Sequence, residues 1–226
     1  MSIDTALRAT EVLLALAFIQ QSLEHLFASR VEFRLYFPRL ILSLVLLSGW
    51  LTVPSLIGFA ILSLLILTHF QGVYNGGSDR MGLLVLWILL PASITPPGPI
   101  QDGLFGYLAL QLTLSYFISG KVKIVNPDWR SGRALCDVFA FSAYPVSNGT
   151  RRFAGHTTLL WVMSWAIILF EVLFPLALLN ATLLLVALTI GALFHLANAI
   201  LFGLNRFFWI WPAAYPSLIW LQDRLF

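Results

Sequence analysis

The sequence predicts an all-α fold, a polytopic transmembrane helix bundle of about seven spans (range six to eight) with an interfacial amphipathic helix. Three observations carry that expectation. Of 226 residues 59% are hydrophobic and 10% charged, against roughly 25% charged in an ordinary soluble domain, so a water-facing surface cannot be built from this chain. Apolar runs follow one another with little polar spacer, and a hydrocarbon core of about 30 Å needs roughly 20 helical residues. The basic residues lie between those runs, almost all on one side of an alternating count. Residues 1–226 therefore read as a single transmembrane domain.

The runs are Leu7 to Phe27, Tyr36 to Val53, Pro54 to Phe70, Arg80 to Ile94, Leu104 to Ser119, Thr157 to Leu179 and Ala181 to Leu204. The first carries Arg8 ahead of Ala15 and Ala17, features shared with a cleavable signal, but it passes into Gln20, Gln21, Glu24 and His25 without a cleavage pattern and is read as a helix. Pro54 opens a helix after a tight turn, Asn180 separates two apolar runs, and Pro96, Pro97, Gly98 and Pro99 form a stiff loop. An eighth stretch, Phe207 to Trp220, is interrupted by Pro212 and Pro216 and reads as re-entrant. The long polar segment Lys121 to His156 places Trp129, Leu135, Val138 and Phe139 among Arg130, Arg133 and Asp137, which suits the interfacial helix. No internal repeat or low-complexity tract is visible, and a transporter reading is weak for want of repeat symmetry.

A net charge of +3 and a pI near 9.3 would fit a nucleic-acid partner if the basic residues formed a patch on a soluble face. They lie in the loops instead, so no nucleic acid is expected; the partner is the lipid bilayer. Eleven of the thirteen basic residues fall on one side: Arg30, Arg34, Arg39, Arg80, Lys121, Lys123, Arg130, Arg133, Arg151, Arg152 and Arg206. The tendency of positive loops to stay cytoplasmic predicts a multi-pass protein of the cell membrane with its N-terminus outside and Lys121 to Arg152 inside. The sequon at Asn148 is then cytoplasmic and unused. The lone Cys136 excludes an internal disulfide framework and any multi-cysteine metal site.

Polar groups inside spans cost about 2.5–3.5 kcal/mol each when ionisable, and so mark candidate sites. Gln20, Gln21, Glu24 and His25 recur at helical spacing and form one polar face of the first run, directed into the bundle or toward an interface. Glu171 stands mid-span in the sixth run and needs a partner or a proton. His195 and Asn198 lie three apart in the seventh, beside the sixth across the Asn180 turn, so a Glu171–His195 contact is expected. Helix-to-helix hydrogen bonding competes with a functional role for these groups. His69 reads as an interfacial or packing residue. A metal site built from His25, His69, His195 and the glutamates lacks HExxH or paired-histidine spacing, and no metal is assigned. Lys121 and Lys123 read first as snorkelling anchors; a lysine in a water-poor pocket can instead serve as a base.

The stretch Tyr116 to Ile124, Tyr-Phe-Ile-Ser-Gly-Lys-Val-Lys-Ile, followed by Trp129 and Gly132, resembles a segment of the vitamin K-dependent γ-carboxylase and its bacterial relatives, the horizontally transferred transmembrane (HTTM) domain proteins. Phe194 to Phe202 resembles a second segment of that family, and Asn75 to Leu84 a third, more loosely; the three stand in family order. The resemblance implies a small hydrophobic, quinone-like ligand in the bundle, a reduced quinone in the family's own chemistry. Lys123, matched from the glycine, would be the base, acting with His195 and Glu171, and Asn198, Asn75, Trp129 and Tyr116 would bind the ligand. Gly77 stands where the carboxylase is expected to have a histidine, one extra residue separates Lys123 from Trp129, and the large domain that grips protein substrates is not expected here. Protein carboxylation is therefore not the expected activity. The carboxylase works toward the lumen, whereas the basic count sets Lys123 at the cytoplasmic face. The alternative implied by other family members is a non-enzymatic membrane subunit in maturation, export of, or immunity to a peptide partner.

Overall fold

A computed structural model describes residues 1–69, 76–142 and 146–226, and no strand is found among the described residues. In chain order the helices are α1 (Ile3–His25), α2 (Arg30–Ser48), α3 (Thr52–His69), α4 (Gly77–Ile94), α5 (Pro99–Val125), α6 (Pro127–Arg130), α7 (Arg133–Phe141), α8 (Asn148–Arg152), α9 (Thr157–Leu173), α10 (Ala181–Phe202) and α11 (Asn205–Leu225). Two 3-10 turns, Phe153–Gly155 and Phe174–Leu179, flank α9. The all-α fold is as expected. Gly77–Ile94, Pro99–Val125, Thr157–Leu179 and Ala181–Phe202 are long and apolar enough to cross a bilayer by length and composition, and Thr52–Thr68 is apolar but shorter. A count of about seven spans is compatible with this set.

The chain divides into two compact units, Met1–Ala109 with Arg206–Leu225, and Leu110–Asn205 with Phe226. In the first, α1 packs against α2 and α4, and α3 against both α2 and α4. Leu14, Leu46, Phe59, Leu86 and Phe105 are fully buried there, with Phe18 edge-on to Phe59 and Phe105 edge-on to Trp220. In the second, Leu135 and Phe139 of α7 bury against Leu160 of α9 and Phe202 of α10. The amphipathic α7 thus seats its apolar face on neighbouring helices and leaves Arg133, Asp137, Val138 and Phe141 exposed.

Several element ends differ from the apolar runs because capping, not hydropathy, sets them. α2 begins at Arg30 because the Ser29 hydroxyl accepts the Glu32 N–H, and ends at Gly49, whose φ of 78° a side chain disfavours. Arg8 satisfies two carbonyls near that end, donating to Leu46 O at 2.9 Å and Leu47 O at 2.6 Å, as cations at helix C-termini do. α5 runs on to Val125, so both lysines stand on helix rather than in a loop. The sixth run changes to 3-10 geometry at Phe174, where Pro175 has no N–H for the α pattern. The interruption expected at Pro212 and Pro216 does not occur: α11 continues through both, with Ala213, Ala214, Leu218 and Trp220 buried around them.

Candidate functional site

α5 presents Tyr116, Gly120 and Lys123 along one stripe, since residues four and seven apart share a helix face. Gly120 is what lets this stripe approach α9. A Cβ there would lie 2.6 Å from the backbone nitrogen of Val172, so only hydrogen fits. That approach sets Lys123 opposite Glu171, and Lys123 Nζ donates to Glu171 Oε1 at 2.7 Å and Oε2 at 2.6 Å. Glu171 is 4% exposed. The ammonium also stands 5.2 Å from the centre of the Trp129 ring, within the range of a cation–π contact. Lys121, two residues back on the helix, is exposed.

Trp129 is fixed through its backbone. The buried Ser164 hydroxyl donates to Trp129 O at 2.5 Å, and Trp165 Nε1 donates to Arg130 O at 3.0 Å, tying α6 to α9. Gly132, at φ 80°, ends that turn where a Cβ would meet Trp161 Cα at 2.8 Å. Two turns back along α5, the Tyr116 hydroxyl shares a hydrogen bond with His195 Nε2 at 3.1 Å, both residues being 4% exposed. The Tyr116 ring stacks on Phe174 at 4.2 Å and meets Phe170 edge-on. Because Phe170, Glu171 and Phe174 share the end of one helical segment, the two polar pairs are joined through an aromatic wall.

The sequence-derived residues divide accordingly. Lys123, Glu171 and Trp129 come together, and Tyr116 and His195 come together. Glu171 takes Lys123 as its partner where the spacing suggested His195; the longer α5 carries the lysine past the end of the apolar run and brings it to the carboxylate. Asn198 donates to Phe194 O of its own helix at 2.9 Å and lines a groove with Ala134, Asp137 and Phe202. Asn75 lies outside the described residues.

The first unit holds a second polar cluster. On the polar face of α1, His25 is buried and Gln21 half-buried, while Glu24 is exposed. Gln21 donates to Asp79 at 3.1 Å, Glu24 pairs with Arg206 at 3.1 Å, and His25 meets Glu32 at 2.9 Å and also contacts Arg206. Arg206 reaches Asp79 at 3.6 Å. The sequence sets Arg39 and Arg206 among the orienting loop charges; the structure buries Arg39 to 5% exposure and engages Arg206 in ion pairs. The signal was present for Arg39, which falls inside an apolar run and three residues after Tyr36, on the same face.

A helical protein with four helices long and apolar enough to cross a bilayer, two of them joined by a lysine–glutamate pair, fits the class of polytopic membrane proteins. The HTTM domain model matches residues 104–220, just over half of the chain, and both polar pairs fall inside the match. The chain is a membrane protein of the HTTM family. No curated protein and no solved structure matches it.

Proposed function

We propose that the Lys123–Glu171 and Tyr116–His195 pairs bound a site for a small hydrophobic, quinone-like ligand bearing an acidic hydroxyl. The observation that carries this reading is the two-pronged bond between Lys123 and a glutamate that is almost wholly buried. Two desolvated charges cost several kcal/mol, and a purely structural bridge of this kind is often no better than apolar packing. The pair has, in addition, a neutral alternative. Transfer of one proton from Lys123 Nζ to Glu171 leaves a free amine and a carboxylic acid, and the free amine can take the hydroxyl proton of a bound ligand. His195 and Tyr116 supply a donor and an acceptor nearby, Trp129, Phe170 and Phe174 supply apolar ring surface, and Asn198 is a further candidate ligand contact.

In the same reading residues 1–226 form one transmembrane domain of the cell membrane, with the N-terminus outside and the Lys121 to Arg152 segment cytoplasmic. A short-chain quinone titrated into the protein in lipid nanodiscs tests the site. It should quench tryptophan fluorescence saturably, with binding about 10-fold weaker or more in Tyr116→Phe and His195→Ala, the loss of roughly one buried hydrogen bond. Quenching that rises linearly without saturation, or saturates equally in both variants, removes the ligand site. Copurification of a peptide with such a protein would then favour the subunit reading.

A further inference from the structure

Arg39 has the least ordinary environment of any charged side chain described. It is 5% exposed, its Nε has no hydrogen-bond partner, and it makes no ion pair among the described residues. Its guanidinium lies 3.9 Å over the Phe18 ring, which steadies the charge without accepting the Nε–H. Beside it is a cavity of about 50 Å³ whose polar lining is Gln21, Tyr36, Arg39, Ser63, Ser78, Asp79 and Arg206, drawn from α1, α2, α3, α4 and α11 of the first unit. A buried guanidinium with no hydrogen-bond partner, beside a cavity lined in part by polar groups, is half of a recognition site.

We infer that this cavity binds a small monovalent oxyanion of the carboxylate class, with Arg39 as its counter-charge. Size and charge select that class. On this measure one water needs roughly 10–15 Å³, so the space holds about four waters or one small planar anion, and no drug-sized molecule. A carboxylate offers two oxygens to the fork of a guanidinium, and no nitrogen of the Arg39 guanidinium has a hydrogen-bond partner among the described residues. Arg206 pairs with Glu24 and Asp79, whereas Arg39 makes no ion pair of its own among the described residues. Asp79 on the cavity wall then opposes a second negative charge, so dianionic phosphate is disfavoured against a carboxylate. The inference rests on the first unit alone and is independent of the reading of Lys123.

Acetate is the probe. With the full-length chain in nanodiscs at constant ionic strength, replacing chloride by acetate should raise Tm saturably by about 5 °C or more, and phosphate should raise it far less. Arg39→Lys keeps a positive charge but loses the fork, and should lower acetate affinity about 10-fold or more. Equilibrium dialysis of radiolabelled acetate against the unaltered chain gives a second reading that holds even where the variant fails to fold. Retention of about one acetate per chain supports the site. No retained acetate, an acetate effect equal to that of chloride, or an unchanged affinity in Arg39→Lys means that water alone meets the guanidinium and overturns the inference.

Discussion

At the scale of single residues, the chemistry of the second unit depends on which groups are left without a partner when one is removed. Glu171 is buried and accepts both of its bonds from Lys123, so Lys123→Ala strands a carboxylate that must take up a proton or remain charged in apolar surroundings. Each single truncation, Lys123→Ala or Glu171→Ala, should cost about 3 kcal/mol, while the paired replacement Lys123→Met with Glu171→Leu should cost well under the sum. Thermal unfolding in detergent measures both, and strictly additive losses would show that the two side chains do not act as a pair. Ser164 makes a smaller case of the same kind. Ser164→Ala withdraws the donor to Trp129 O and should lower stability by about 1 kcal/mol, with a shift in tryptophan emission as Trp129 loosens. Of this site the sequence exposed Glu171 and His195, because polar groups in apolar runs stand out; the lysines lie past the fifth run, where residue physics alone did not separate Lys121 from Lys123 and the match from Gly120 pointed to Lys123. That choice follows from helix phase, since residues two apart point to nearly opposite faces, and the phase is set by contact with α9.

At the scale of elements, close approach of helix backbones does what hydrophobic patterning cannot. Between helices in lipid there is little hydrophobic drive, so small residues that permit close contact carry much of the packing. Gly120 is such a residue, set three before Lys123 and four after Tyr116 on the face that meets α9. Gly120→Ala should therefore push α5 from α9, cost about 1–3 kcal/mol by overpacking, and weaken the Lys123–Glu171 coupling measured by the double replacement. A variant with unchanged Tm and unchanged coupling would show that α5 does not need this contact. The positions of most helices were legible from apolar runs, and their ends were not. Ser29 and Gly49 move α2 toward the N-terminus by capping, and Pro175 tightens the end of the α9 segment. Pro212 and Pro216 misled in the other direction, because a proline costs a hydrogen bond but does not end a helix whose flanks are buried.

At the scale of the whole molecule, the proposed orientation depends on basic residues, and some of these lie inside the fold. Arg39, Arg206 and Lys123 belong to the basic set that the sequence places on one side, yet the first is buried and the other two are ion-paired. Setting them aside leaves eight basic residues on the same side, against Arg8 and Arg224 elsewhere, so the asymmetry behind the proposed orientation survives. Arg8 also caps the end of α2, which weakens it further as a loop charge on the opposite side. Five of the seven proposed spans separate Asp4 from Asp137, an odd number, so the two residues should face opposite compartments. Both are exposed and each can carry a cysteine in a Cys136→Ala background. In intact cells a membrane-impermeant maleimide should label Asp4→Cys and spare Asp137→Cys until the membrane is permeabilised. The reverse pattern would place the basic loops outside and set Lys123 on the side where the family carboxylase works. Labelling of both without permeabilisation would mean that an even number of crossings separates them, so that one of the first five runs lies within the interface instead of spanning it.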